Sequence, residues 1–152
     1  MAEHFHLLAT INFSDCMGSE LEYYKLNILE TIKYYDKKVR YELNIENQRD
    51  IFQDNVVYNF YTSNPYTDKH SKDIYYSRIY LSMSCDNYNM NKAYWYKLFK
   101  YILNDEELCI FNAVIQLDFN GDKEIITNIC DDAYDYETKY IILKAGNNKE
   151  YL

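Results

Sequence analysis

The sequence predicts an α+β fold: a mostly antiparallel sheet of about seven strands with two helices packed on one face, in the order β-α-β-β-β-α-β-β-β. Three observations predict it. Several short runs alternate apolar with polar residues, the two-residue period of a strand. Two longer segments repeat their apolar residues at three and four positions, the period of a helix buried on one side. An Asn120-Gly121 pair between two strand-like runs marks a tight antiparallel hairpin.

Phe5, Leu7, Ala9, Ile11 and Phe13 alternate with His4, His6, Leu8, Thr10 and Asn12, which reads as a first strand. Over residues 19–35, Leu21, Tyr24, Ile28, Leu29, Ile32 and Tyr35 fall at helical spacing. Ser19 is the expected N-cap; Glu20 and Glu22 suit the positive end of the helix dipole, and Lys33 and Lys37 the negative end. Val39, Tyr41, Leu43 and Ile45 then alternate with Arg40, Glu42, Asn44 and Glu46 and predict a second strand with one wet face. Residues 56–61 predict a third, closed by the turn signal Ser63-Asn64-Pro65 and followed by a polar loop over 67–73. Residues 74–85 predict a fourth, with Tyr75, Ile79, Leu81 and Met83 on one face. The second helix is expected to start at Asp86-Asn87 or Asn89 and to end near Asn104, with Met90, Tyr94, Trp95, Leu98, Phe99, Ile102 and Leu103 inward. Residues 108–119 are apolar on both faces and predict a central strand. Asn120-Gly121 reads as a two-residue type I′ turn into a strand over 123–130, and a last strand spans 138–145.

The chain of 152 residues is read as one domain over 1–152, long enough to bury a core without staples. Hydrophobic residues make up 48%, and with 3 glycines and 1 proline linkers and low-complexity readings drop out. No apolar run reaches the length needed to cross a bilayer, and the start of the chain lacks the basic and apolar segments of a secretory signal, so a cytoplasmic location is expected. Cys16, Cys85, Cys109 and Cys130 form no C-x-x-C pair and are expected as reduced, mostly buried thiols. The abundance of residues with AT-rich codons, 19 tyrosines among them, points to an AT-rich gene and carries no chemistry.

Motifs with a mechanism are missing. There is no phosphate-cradling glycine loop, no G-x-S-x-G elbow and no H-E-x-x-H. His4 and His6 share a strand face but make two ligands, not a site, and His70 lies in the polar loop. Asp118 to Glu124 resembles the start of a calcium loop, yet its glycine stands fourth rather than sixth, and the hairpin accounts for the same residues. No metal, cofactor or catalytic residue is therefore assigned, and the chain is read as a non-enzyme.

The acids are more informative. Formal net charge is −8, and between residues 101 and 138 ten acids face one base, Lys123. The two-residue turn sets the hairpin register, so Ile110 faces Asp131 and Cys109 faces Asp132. Asp105, Glu106 and Glu107 are then expected beside Asp131, Asp132, Asp135 and Glu137, with Tyr134 and Tyr136 among them. Asp118, Asp122 and Glu124 are expected at the other end, about 30 Å away. Such a patch steers cationic partners and carries tyrosine anchors, whereas it repels nucleic acid and anionic membranes. The expected partner is a basic protein, and the expected class an inhibitor such as an immunity protein that neutralises a toxin nuclease. The alternatives are a phage or viral antagonist of host defence that acts by protein binding or DNA mimicry, and a small enzyme that uses its carboxylates. The mimic requires acids spaced along a surface, and the enzyme requires acids converging in an apolar pocket.

Overall fold

A computed structural model describes residues 4–46, 56–88, 92–129, 139–146 and 148–152. The N-terminal alternation becomes β1 (His4–Phe13), with Phe5, Leu7, Ala9, Ile11 and Phe13 buried and His6, Leu8 and Thr10 exposed. Successive side chains point to opposite faces of a sheet, so this strand defines one covered face and one open face. Strands β6 (Ile79–Tyr88) and β7 (Ile110–Phe119) flank it, and Leu7 lies between Cys85 and Leu117. The sheet continues through β8 (Asp122–Ile129) and β9 (Lys139–Lys144) to β10 (Asn148–Tyr151) on one side, and to β3 (Val56–Thr62) on the other. The result is a seven-stranded antiparallel sheet in the order β10-β9-β8-β7-β1-β6-β3.

Two helices, α1 (Leu21–Glu42) and α2 (Lys92–Leu103), cover one face. Their Ile28, Ile32, Val39, Trp95, Leu98, Phe99 and Ile102 join the inward strand residues in one core. Phe5 stacks on Trp95 at 4.9 Å, and Trp95 on Phe99 at 6.0 Å. Each such aromatic pair adds about 0.5–1.5 kcal/mol to simple area burial.

The segment 39–45, expected as a strand, instead forms the end of α1 and the turn that closes it. Val39 is inward and Tyr41 outward, an order that a helix also satisfies, and Val39 continues the Ile28–Ile32 stripe. The decisive residues are Asp36 and Arg40, which pair one turn apart within the core at 2.9 Å and carry the helix past Lys37. Asn44 then ends it in the left-handed region at φ 57°, with its N–H donating to the Tyr41 carbonyl and the Ile45 N–H to the Arg40 carbonyl. That is a Schellman closure, with asparagine in the place that glycine usually takes. Ser19 lies in a 3-10 turn ahead of α1 rather than capping it, and the N-cap, Glu20, makes no side-chain cap bond. The seventh strand of the large sheet is β10, not 39–45.

The strand expected over 74–85 is broken in two. β5 (Ile74–Tyr76) pairs with β2 (Cys16–Met17) and β4 (Pro65–Thr67) in a small second sheet, and only from Ile79 does the chain enter the large one. Ser63 fixes the break: its Oγ accepts from the Arg78 N–H at 3.1 Å, and its own N–H donates to the Arg78 carbonyl at 3.0 Å. Pro65 therefore begins an edge strand, a place where its missing N–H costs nothing. Asp86 and Asn87 lie in β6 rather than at a helix start, Asn89 and Met90 lie outside the described residues, and α2 is described from Lys92 onward.

Strand β7 is central but not covered on both sides. Ala113, Ile115 and Leu117 are buried, while Val114 and Phe111 face outward on a sheet side that no described helix covers. A register shift between Asn12 and Phe13 turns Phe111 out, and the Arg78 guanidinium lies over its ring at 4.0 Å. Apolar residues on the open face made this strand look doubly buried.

Candidate partner-binding surface

The acidic corner begins where α2 runs out. Asp105 follows the helix in an extended conformation and caps a 3-10 turn, Glu106–Leu108. Its Oδ1 accepts from the N–H groups of Glu107 and Leu108 at 2.9 and 3.1 Å, and its Oδ2 from the Tyr35 hydroxyl at 2.5 Å. Burial, together with this bond to a carboxylate, pushes the Tyr35 hydroxyl up to about 12, so it remains a donor. Asp105 is thereby a structural residue as well as an acid: both its oxygens are engaged in holding the corner.

The corner is fixed from below. Leu108 is buried, its carbonyl accepts from the Tyr24 hydroxyl at 3.3 Å, and the Cys109 carbonyl accepts from the Ser14 N–H at 3.0 Å. Cys109 adopts the left-handed region at φ 52° and swings the chain into β7. The outcome is that Glu106 and Glu107 stand exposed on a rigid turn, with no ion pair to any described residue.

The hairpin has the register that Asn120-Gly121 demands. Asn120 and Gly121 have φ of 55° and 98°, and Val114 faces Thr127 while Phe119 faces Asp122. The expected partners of the corner, Asp131, Asp132, Tyr134, Asp135, Tyr136 and Glu137, lie outside the described residues.

At the turn end, about 30 Å along β7, Asp118, Asp122 and Glu124 lie where the hairpin puts them but are not equally free. Asp118 accepts from the Gly121 N–H at 2.8 Å and steadies the turn, and only Asp122 is fully exposed. Glu124 is not a solvated loop acid. It opposes Leu117 on the covered face, is 5% exposed, and meets the Lys92 ammonium at 3.0 Å. The alternation of β8 could have revealed this, since Glu124 shares parity with Ile126.

His6 lies on the open face between Asp86 and Asp118 on the neighbouring strands, with its Nδ1 3.3 Å from Asp86. Beside it runs a shallow groove of about 280 Å³ lined by Leu8, Gln116, Lys123 and Ile125 among others. His70 is in an exposed turn closed by Asp68, which accepts from its N–H at 3.1 Å. Cys16 and Cys85 are buried as expected, and burial raises both thiols, Cys85 to about 11, which favours their protonated, less nucleophilic form. Cys109 departs from the expectation and is exposed, because its left-handed backbone directs it away from the core. Among the described residues no group of three or more His, Cys, Asp or Glu is placed to hold a metal ion, and no helix is long and apolar enough to cross a membrane.

Compared with family models, with curated proteins and with solved structures, the chain matches none.

Proposed function

We propose that this protein is an acidic inhibitor that binds and neutralises a basic protein, as an immunity protein does for a toxin nuclease. One observation carries the reading: Glu106 and Glu107 stand exposed on a braced turn, within a segment where ten acids face one base. A nuclease site that holds phosphates is cationic, and a fixed group of carboxylates complements it while raising the rate of encounter. Rigidity matters because the backbone that carries the two glutamates is already ordered and loses little freedom on docking. Asp131, Asp132, Asp135 and Glu137, with Tyr134 and Tyr136 as anchors, are proposed to complete the surface.

Mimicry of a DNA backbone has weaker support. It needs carboxylates spaced along the hairpin, yet Glu124 is buried against Lys92 and Asp118 is engaged by its own turn.

The test starts from the product of the neighbouring gene, co-expressed and co-purified with this chain. Its nuclease activity is expected to fall in proportion to added inhibitor. Replacing Glu106 and Glu107 by Gln, and Asp131 and Asp132 by Asn, is expected to slow association about tenfold or more at low salt and to flatten its salt dependence. The free variant is expected to unfold at the same urea concentration or slightly higher. A clear loss of stability would show that these acids are natively paired, and unchanged association kinetics would remove them from the interface.

A further inference from the structure

The two edges of the large sheet are built differently. The β10 edge is four residues long and charged, and Glu150 is tied to Lys144 at 2.9 Å. Short, charged edges discourage another strand from adding on. The β3 edge is seven residues long, Val-Val-Tyr-Asn-Phe-Tyr-Thr, without a charge, a proline or a bulge against β6. Among the described residues nothing pairs with its outer side, so alternate N–H and C=O groups point away from the sheet.

Most of its side chains are also exposed, although Val56 is buried and Phe60 partly so. Val57 is 63% accessible, Tyr61 57% and Tyr58 39%, and Asn59 is open as well. Val57 and Tyr61 lie on the open face of the sheet, and Tyr58 and Phe60 on the helical side. The Lys25 ammonium is 6.0 Å from the Phe60 ring and is itself paired with Glu22 at 3.4 Å.

We infer that β3 is the interface of a homodimer, in which two copies of the strand pair antiparallel about a two-fold axis through Asn59. The segment is nearly a palindrome in character: the axis sets Val57 opposite Tyr61 on one face and Tyr58 opposite Phe60 on the other, each pair occurring twice. Such β-branched–aromatic and aromatic–aromatic pairs each contribute about 0.2–1 kcal/mol, and no like charges meet along the strand. Two-fold symmetry requires this kind of self-complementarity, which a foreign strand would not. It matters in a molecule of net charge −8, because self-association is tolerable only where charge is missing. The pairing joins two sheets into one of fourteen strands and leaves the Glu106–Glu107 corner free, three strands from β3 at the level of β7.

Sedimentation equilibrium of the purified chain at about 1–100 μM is expected to show a mass twice that of the chain, that is, twice 18.4 kDa. Asn59→Lys places two ammonium groups face to face and is expected to weaken self-association at least about tenfold, while Tyr151→Lys on the β10 edge leaves it unchanged. If N59K loses its far-UV circular dichroism, a second variant decides. Asn59→Cys in a Cys109→Ser background is expected to form a covalent dimer on mild oxidation, since directly opposed Cα atoms about 4.5–5.5 Å apart lie within disulfide range. A monomer throughout that concentration range, a dimer that folded N59K leaves intact, or failure of the cysteine at 59 to cross-link would each overturn the inference.

Discussion

At the scale of single residues, the most consequential group is one that a sequence pattern hides. Asp36 is 1% exposed, and its carboxylate meets Arg40 at 2.9 Å and the Tyr94 hydroxyl at 2.5 Å. Two buried charges hold each other only while both are present, because the desolvation cost of either is otherwise uncompensated. Asp36→Ala is therefore expected to destabilise the protein by about 3–5 kcal/mol, read as a lower urea midpoint at an unchanged slope. Tyr94→Phe, which removes a bond to a charged acceptor, is expected to cost about 1.5–3 kcal/mol by the same measurement. A smaller loss in D36A than in Y94F would refute the ionic account. Neither Asp36 nor Glu124 stood out as buried, since carboxylates are ordinarily solvated and the rule that buries apolar residues is silent about paired acids. Only the parity of Glu124 with Ile126, and the helical spacing of Asp36 with Ile32, Val39 and Arg40, held the information.

At the scale of elements, patterns were most legible where one period alone fitted. Strand β1, the inward face of α2 and the Asn120-Gly121 hairpin lie where alternation, helical spacing and turn chemistry put them. The misreading at 39–45 has a physical cause. Over so few residues alternation is a weak signal, since Val39 also continues the helical spacing of Ile28 and Ile32, and the helix prevails because Val39 and the Asp36–Arg40 pair face the core in that conformation. The closure at Asn44 then becomes a testable feature. An L-residue with φ of 57° carries a steric cost that asparagine partly relieves and glycine avoids. Asn44→Ala is expected to destabilise the protein by about 1 kcal/mol, and Asn44→Gly to be neutral or slightly stabilising, by urea unfolding. Equal effects of the two substitutions would mean that the left-handed turn does not govern the end of α1. The division between β5 and β6 was illegible for another reason: it depends on hydrogen bonds between Ser63 and Arg78, fifteen residues apart, which no local window contains.

For the whole molecule, charge and coverage are both lopsided. The helices cover one sheet face, and acids dominate the segment that follows α2. The excess of acids was plain in the sequence, as was the hairpin that organises it; which of those acids are engaged was not, because capping by Asp105 and burial of Glu124 depend on tertiary neighbours. A molecule of net charge −8 resists its own compaction when counter-ions are scarce. Its thermal midpoint is expected to rise as ionic strength goes from about 0.01 to 0.15 M, where the screening length shrinks from about 30 to 8 Å. A falling midpoint would indicate that attractive pairs such as Lys97–Glu42 and Lys92–Glu124 outweigh the repulsion. The backbone twist that starts β7 has a practical side. By turning the Cys109 thiol to solvent two residues beyond Glu107, it makes this the exposed one among the described cysteines and supplies a native attachment point for a fluorophore at the rim of the acidic corner. A dye placed there would register the arrival of a partner through quenching, without any engineered residue.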